Sequence, residues 1–227
     1  MVKAVIFDLD DTLISETKYI ESGYQHIAKL LSNRYEKDAV ETFELLMELF
    51  RNSSRNVFNR LLDNQGISYT NNNIIEMVNE YRNHLPNIEF YNDVLPCLEF
   101  LKKKKIKVGI ITDGYANAQR QKLKSVKAVD HFDEIIVTDE LGRDFWKPHP
   151  RAFEIMKHKL NVEFNEMVYI GDNPEKDFYI RSVYPIKTIR IMRNGVHAQK
   201  IYLNGVQENH LIYLLSELES LFVNNRI

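Results

Sequence analysis

Residues 2–13 read VKAVIFDLDDTL. The apolar part of this stretch is too short for an ordinary helix and is rich in β-branched residues, so it predicts a buried strand. The strand ends in a cluster of three carboxylates, Asp8, Asp10 and Asp11. In a parallel α/β sheet, functional sites form just beyond the carboxyl ends of the strands. The stretch therefore predicts both the first strand of such a sheet and the place of its site.

Further apolar runs along the chain extend this interpretation. Four of them predict strands: Ile106–Thr112, Glu134–Thr138, Met167–Ile170 and Lys187–Ile191. Helical patterns are predicted between or beyond them: Val94–Lys104, Asn117–Ser125, Pro150–Lys159, and a C-terminal helix whose apolar face carries Leu211, Leu214, Leu215, Leu218 and Phe222. Strands that alternate with helices indicate a parallel sheet with right-handed crossovers. The predicted fold class is a Rossmann-like α/β core.

Residues 15–88 follow a different pattern and show no convincing strand. Two amphipathic helices are predicted there, one with Tyr24, Ile27 and Leu31 on its apolar face and a second with Val40, Phe43, Met47 and Phe50. Polar breaks follow at 52–54, 64–66 and 70–73. We expect an all-helical domain at 15–88, inserted into an α/β core made of 1–14 and 89–227. Helical insertions of this kind can act as lids.

Composition limits the classes of function. The chain has 227 residues, a formal net charge of −2 and a hydrophobic fraction of 44%, which suits one α/β domain with a smaller insertion. The balanced charge argues against a nucleic-acid partner, and the cationic run 102–105 fits a solvated helix end. Cys97 is the only cysteine, which excludes an internal disulfide, and we expect it to be a buried thiol.

The N-terminal apolar run is too short for a signal peptide or a membrane span, because acidic residues follow it directly. We therefore expect no membrane partner and, by default, a cytoplasmic protein. The sequence gives no indication of oligomeric state.

Polar residues recur where the predicted strands end. Thr112 and Asp113 follow the second strand, Asp172 follows the fourth, and Lys147 precedes Pro148 in the loop after the third. Several carboxylates at one edge of a sheet repel one another and need a cation, and oxygen ligands suit Mg²⁺. A magnesium site is therefore predicted at this edge.

These motifs resemble those of the haloacid dehalogenase-like hydrolase superfamily. The stretch Asp8-Leu9-Asp10-Asp11-Thr12-Leu13 matches the family signature D-x-D-x-T. Three further motifs follow in the family's order: Thr112 in IITDG, Lys147 in WKP, and Gly171-Asp172 with Asp177. The resemblance covers residues 1–14 and about 89–195, and the insertion at 15–88 resembles the helical cap of many members.

The resemblance implies a phosphatase mechanism. Asp8 is expected to attack phosphorus and form an aspartyl phosphate, with Asp10 as general acid and then general base. Mg²⁺ is expected to bind Asp8, the backbone carbonyl of Asp10, and Asp172. Asp177 is expected to stand behind these ligands and position a metal-bound water or Lys147.

The remaining motif residues are expected to hold the phosphate. Thr112, the amide of Asp113 and the ammonium of Lys147 would bind its oxygens. Asp113 departs from the family, since many members have asparagine or another small polar residue there. An additional carboxylate is unfavourable unless it points away or pairs with a cation. Phe145 and Trp146 are expected to pack their loop rather than to line the site.

Three alternatives stay open at this point. A dehalogenase of the same fold would need neither Mg²⁺ nor Asp10, so the presence of Asp10 favours phosphoryl transfer. A hexose phosphomutase would use the same residues, and a catalytically silent binding domain would not need all of them. The expected partner is a small phosphomonoester: a sugar phosphate or sugar acid phosphate, phosphoglycolate, or a nucleoside monophosphate. Nothing in the sequence chooses among these.

Overall fold

A six-stranded sheet forms the α/β part of the chain, as a computed structural model describes it for residues 1–193, 201–224 and 226–227. The strands are β1 (Ala4–Phe7), β2 (Lys107–Thr112), β3 (Glu134–Val137), β4 (Met167–Gly171), β5 (Lys187–Ile191) and β6 (His210–Ile212). Their order is β3-β2-β1-β4-β5-β6, and every neighbouring pair is parallel. The predicted Rossmann-like α/β core is confirmed. Because β1 lies between β2 and β4, the carboxyl ends of these three strands meet.

Residues 17–88 form a separate compact unit, and residues 1–16 with 89–227 form the other. The helices of the unit at 17–88 are α1 (Glu16–Tyr35), α2 (Ala39–Asn52), α3 (Val57–Asn64) and α4 (Asn71–Asn83). Helix α1 begins one residue before the unit does. No strand occurs in 17–88, all of which the structure describes. Thr70 caps α4 in a reciprocal capping box with Asn73, as a polar break before an apolar helix predicts.

The predicted apolar face of α2 needs a correction. Leu46 is fully buried, and Phe43, Met47 and Phe50 pack partly buried against the core of the helical unit. Val40, however, is 64% exposed. It lies in the first turn of α2, two residues after the capping residue Asp38, whose carboxylate accepts hydrogen bonds from the backbone amides of Val40 and Glu41. The apolar face therefore begins one turn later than predicted.

Five further helices belong to the α/β unit in the described residues. They are α5 (Val94–Lys103), α6 (Ala116–Ser125), α7 (Arg151–Leu160), α8 (Ile180–Val183) and α9 (Glu217–Val223). Helix α7 packs closely on the sheet at Gly109, where an added Cβ would lie 2.8 Å from the sulfur of Met156. A side chain at position 109 would therefore require the end of the Met156 side chain to move.

The prediction of one long C-terminal helix is wrong. Leu211 lies in β6, which continues the sheet beside β5, and α9 begins only at Glu217. Leu215 and Leu218 are buried, as the predicted apolar face requires, whereas Leu214 is 52% exposed. Pairing with β5 satisfies the backbone of β6, which outweighs the helical spacing of the leucines around it. No helix in the described part of the chain is long and apolar enough to cross a membrane.

Cys97 is buried on α5, as predicted, and its thiol is free. Burial, with the nearby charges of Asp93 and Glu219, raises the pKa of this thiol to about 12. Since the thiolate is the reactive form, the native protein should react with an aromatic disulfide reagent at pH 8 at least about 100-fold more slowly than the urea-unfolded protein. A time course of thiol release in the two states measures this. Equal rates would show that Cys97 is accessible and ionisable in the native state.

Candidate active site

Asp8 directly follows β1, at the centre of the sheet's carboxyl edge. Its backbone amide donates a hydrogen bond of 2.8 Å to the carbonyl of Ile170 in β4, and its side chain is buried. The chain then turns tightly, with the amide of Leu13 donating to the carbonyl of Leu9 at 2.9 Å and Asp11 at a positive φ of 49°. The Asp11 carboxylate stabilises this turn by accepting a 3.0 Å hydrogen bond from the Glu16 amide. The loop is therefore a fixed support for Asp8.

Lys147 contacts Asp8 directly. The Lys147 ammonium lies 2.7 Å from Oδ1 of Asp8, 2.8 Å from Oδ1 of Asp177 and 2.8 Å from the hydroxyl of Tyr169. The side chain is fully buried. Burial alone would lower the pKa of Lys147, but the carboxylates of Asp177 and Asp8 outweigh it and raise the pKa well above its ordinary value. The ammonium thus stays charged and joins β1 to the loop after β4.

Three buried carboxylates form a cluster at this edge. Asp8, Asp172 and Asp177 each place an oxygen within 4.8 Å of the others. Burial raises the pKa of Asp8 to about 6, with Asp177 adding to the rise and Lys147 opposing it. Burial and repulsion by Asp177 and Asp8 raise the pKa of Asp172 to about 9. The raised pKa values show that the ionised carboxylates repel one another, and a hard cation with oxygen ligands would relieve that repulsion.

Asp177 is held in place from two sides. Its Oδ2 accepts a 2.9 Å hydrogen bond from the Asn173 amide, while its Oδ1 accepts from Lys147 and Tyr169. At Gly171 an added Cβ would lie 2.5 Å from Oδ2 of Asp177. Only glycine leaves room for this carboxylate beside the strand end. Although burial works to raise the pKa of Asp177, the two lysine charges, Lys147 and Lys176, lower it overall.

Asp10 stands apart from the carboxylate cluster and is held by α6. The Lys122 ammonium lies 2.7 and 2.8 Å from its two oxygens, and Nε2 of Gln119 donates to Oδ2 at 2.8 Å. Burial works to raise the pKa of Asp10, but Lys122 and the Gln119 hydrogen bond lower it overall. The carboxylate of Asp10 is therefore favoured in the ionised form.

The predicted phosphate-binding residues lie at the end of β2 and in the loop after β3. The hydroxyl of Thr112 is buried and has no hydrogen-bond partner within the described residues. The Asp113 carboxylate is fully engaged: Oδ1 accepts from the Thr138 hydroxyl at 2.7 Å and from the Lys147 amide at 3.1 Å, and Oδ2 lies 3.3 Å from the Lys176 ammonium. The additional carboxylate at 113 is thus both turned aside and paired with a cation.

The side chains of Trp146 and Phe145 contact neighbouring loop residues. The indole of Trp146 donates to Asp139 at 3.2 Å, and its ring meets Tyr115 edge-on at 6.3 Å. Phe145 meets His149 edge-on at 5.0 Å. These contacts agree with the packing role predicted for the loop.

Four residues at the site were not singled out from the sequence: Gln119, Lys122, Tyr169 and Lys176. For Gln119 and Lys122, the sequence contains a pattern that could have identified them. They lie three residues apart on α6, and both are buried on the same side as Ala118 and Leu123. Two polar side chains on the buried face of an amphipathic helix indicate a buried polar partner. Tyr169 lies inside an apolar strand and Lys176 in a charged loop, so neither differs in sequence from an ordinary core or surface residue.

Comparison with known proteins identifies the family. The family model described as haloacid dehalogenase-like hydrolase matches residues 5–182. The chain belongs to this family. It is 30% identical over 201 residues, 85% of both chains, to the glyceraldehyde 3-phosphate phosphatase of Methanopyrus kandleri. It is 26% identical, over 76% of this chain and 75% of the other, to the pyrophosphatase PpaX of Bacillus thuringiensis.

Solved structures of this family give the same architecture. An HAD phosphatase from Thermococcus onnurineus aligns over 100% of both chains with a TM-score of 0.62 and 26% identity. A putative beta-phosphoglucomutase from Thermotoga maritima aligns over 98% of this chain and 99% of the other with a TM-score of 0.70, but at 20% identity it supports the fold alone. Membership of the family and its named phosphatases support the assignment of this haloacid dehalogenase-like chain as a phosphoric monoester hydrolase.

Proposed function

We propose that this protein is a Mg²⁺-dependent phosphatase that hydrolyses a small phosphorylated metabolite through an aspartyl phosphate on Asp8. The observation that carries the proposal is the position of Asp8. It is buried at the centre of the sheet edge, bound to the Lys147 ammonium and grouped with Asp172 and Asp177. A carboxylate nucleophile needs its own charge and that of the phosphate offset before the two can meet.

The metal would be held by the carboxylates of Asp8 and Asp172 with the backbone carbonyl of Asp10. Bound there, Mg²⁺ would offset the repulsion between the nucleophile and the phosphate oxygens. Asp177 fits the supporting role, since it contacts Lys147 and the Asn173 amide directly. The buried cluster supports a cation site through its donor chemistry, since three carboxylates lie together and their oxygens are the ligands that Mg²⁺ prefers.

Other residues would bind the phosphate and transfer protons. The buried Thr112 hydroxyl and the amide of Asp113 would donate hydrogen bonds to phosphate oxygens, and Lys147 would add its charge. Asp8 would attack phosphorus, and Asp10 in its protonated form would donate its proton to the leaving oxygen. Water would then attack the phosphorus of the aspartyl phosphate, and Asp10 would take its proton.

The names of the relatives support a first candidate for the substrate class. Those from Methanopyrus kandleri and Methanocaldococcus jannaschii are named glyceraldehyde 3-phosphate phosphatase. A three-carbon sugar phosphate is therefore our first candidate, ahead of phosphoglycolate and nucleoside monophosphates. A phosphomutase would keep the same residues and is distinguished by transfer of the phosphate to a second hydroxyl. A dehalogenase is disfavoured, because halide release needs no second carboxylate for proton transfer and the presence of Asp10 therefore favours phosphoryl transfer.

A turnover assay tests the proposal. With p-nitrophenyl phosphate, we expect Mg²⁺-dependent release of phosphate that excess chelator removes. Ca²⁺ should inhibit, because it accepts more oxygen ligands at longer distances and would take both oxygens of Asp8. A screen of phosphorylated metabolites then identifies the preferred substrate. Full activity in chelator would exclude the metal-dependent mechanism.

Asp172→Ala should raise the Mg²⁺ concentration needed for half-maximal activity at least about tenfold, since it removes one carboxylate from the cluster. Titration of activity with Mg²⁺ measures the shift. Exposed Asp130, replaced by alanine, is the matched control and should leave the titration unchanged. An unshifted titration for Asp172→Ala would place the metal elsewhere.

We also propose that residues 17–88 act as a cap that carries substrate selectivity. Ile14 pairs with Phe90, and the amide of Tyr91 donates to the carbonyl of Leu13 at 2.9 Å, so both connections to the helical unit start beside the Asp8 loop. An alanine scan of exposed polar residues in 17–88 should find positions that change kcat/KM among natural phosphometabolites by about tenfold, or about 1.4 kcal/mol. Turnover of p-nitrophenyl phosphate should change only a few-fold. Equal losses on every substrate would instead assign these residues to support of the core.

A further inference from the structure

Two side chains of α6, Gln119 and Lys122, form a clamp on Asp10. The side-chain amide of Gln119 and the ammonium of Lys122 both donate hydrogen bonds to the Asp10 carboxylate, at distances of 2.7 to 2.8 Å. Lys122 itself is only 4% exposed. This contact therefore differs from a surface ion pair, because a buried lysine is retained only where a partner offsets the loss of its hydration.

The clamp is itself fixed to the end of β2. The side-chain amide nitrogen Nε2 of Gln119 donates to the backbone carbonyl of Asp113 as well as to the carboxylate of Asp10. Gly114 leaves room for this approach, because an added Cβ there would lie 2.7 Å from Nε2 of Gln119. The orientation of Asp10 is thus tied to the strand end that carries Thr112, although Asp10 and Lys122 are 112 residues apart in sequence.

We propose that Gln119 and Lys122 are positioning residues that hold Asp10 as the proton acceptor for hydrolysis of the aspartyl phosphate. This inference rests on the proposed function. Three hydrogen bonds to its two oxygens hold the Asp10 carboxylate in one orientation, and they leave it a lone pair with which to accept a proton. The clamp residues act through Asp10 and are assigned no contact with the phosphate.

The step that the clamp would serve is the second half of the reaction. The oxygen of a water molecule forms a bond to phosphorus, and one proton of that water passes to an Asp10 oxygen. The bond between phosphorus and Asp8 breaks, its electron pair returns to the Asp8 carboxylate, and inorganic phosphate is released. A misdirected Asp10 slows this step, and the aspartyl phosphate then accumulates.

Lys122→Met with p-nitrophenyl phosphate separates the two halves of the reaction. The p-nitrophenolate group leaves without a proton donor, so formation of the aspartyl phosphate does not depend on Asp10. We expect kcat and KM to fall together by at least about tenfold, while kcat/KM stays within about threefold of wild type. Rapid mixing should show a burst of p-nitrophenolate equal to the active-site concentration, and acid quench should trap the phosphorylated protein.

Two controls distinguish positioning from support of the fold. Lys124→Met removes an exposed lysine from the same helix and should leave all three kinetic values unchanged. In an Asp10→Asn background, Lys122→Met should cause no further loss of kcat, because the clamp acts only through Asp10. Gln119→Leu, which keeps the Lys122 charge, should give a smaller change with the same pattern, and it serves where Lys122→Met folds poorly.

Other outcomes overturn the inference. A loss of kcat/KM that equals the loss of kcat, with no burst, would make Lys122 a structural residue. Equal losses from Lys122→Met with and without Asp10 would do the same. Failure of the proposed function gives a different result. Either the wild-type protein would not release p-nitrophenolate, or the Asp8→Asn variant would be as active as wild type. In both cases the inference about Gln119 and Lys122 would also be excluded.

Discussion

Asp8→Asn is expected to reduce phosphatase turnover by at least about three orders of magnitude, the usual cost of removing a covalent nucleophile. Asparagine is nearly the same size and can still accept a hydrogen bond through Oδ1 from the Lys147 ammonium, which now lies 2.7 Å from Asp8. It cannot form an acyl phosphate, so no phosphorylated intermediate should be trapped. Initial rates with p-nitrophenyl phosphate at saturating Mg²⁺ measure the effect.

The fold should survive this change. Burial raises the pKa of Asp8 to about 6, which means that the ionised form is disfavoured in the folded protein relative to the unfolded chain. A neutral side chain removes that penalty, so the thermal midpoint should stay close to that of wild type. Asp130→Asn, at an exposed position of the α/β unit, is the matched control and should keep full activity. Turnover of Asp8→Asn above about a tenth of wild type would exclude Asp8 as nucleophile.

The sheet was predictable from the sequence wherever burial is continuous. β1, β2 and β4 are buried along almost their whole length, so their apolar, β-branched runs stand out from the helices around them. β6 has only three residues and is followed closely by leucines at helical spacing. Its conformation depends on pairing with β5, a contact that a local pattern does not contain. The error at Leu211 thus comes from tertiary pairing overriding a local signal.

The site was predictable where its residues lie at strand ends, and less so where they meet across the sequence. The position of Asp8 and Asp172 beyond β1 and β4 follows from topology. The direct contacts of Lys147 with Asp8 and Asp177 join residues 139 and 30 positions apart. The sequence predicts that the Asp113 carboxylate points away or pairs with a cation, but only the structure identifies Lys176 as its cationic partner. The sequence motifs thus predict which kind of charge a side chain needs nearby, whereas only the folded structure shows which residue provides that charge.

Lys147→Met is expected to destabilise the protein by about 3–5 kcal/mol and to abolish turnover, because it removes the ammonium from a fully buried ion-pair network. Asp8 and Asp177 would then lose the cation that they share, and the methionine side chain offers neither carboxylate a hydrogen bond. Urea unfolding in the absence of divalent cations measures the free energy of unfolding. Exposed Lys102, replaced by methionine, should change it by no more than about 0.5 kcal/mol.

Adding Asp177→Asn to Lys147→Met separates charge from packing. If the loss of stability comes from uncompensated carboxylates, neutralising one of them should recover part of it, so the double variant should be more stable than Lys147→Met alone. Mg²⁺ should also stabilise Lys147→Met, since a cation bound in the native cluster shifts the folding equilibrium by mass action. Activity should not return in either case, because the charge that Lys147 places beside Asp8 is still missing. A double variant less stable than Lys147→Met would mean that Asp177 stabilises the loop through its Asn173 hydrogen bond more than through Lys147.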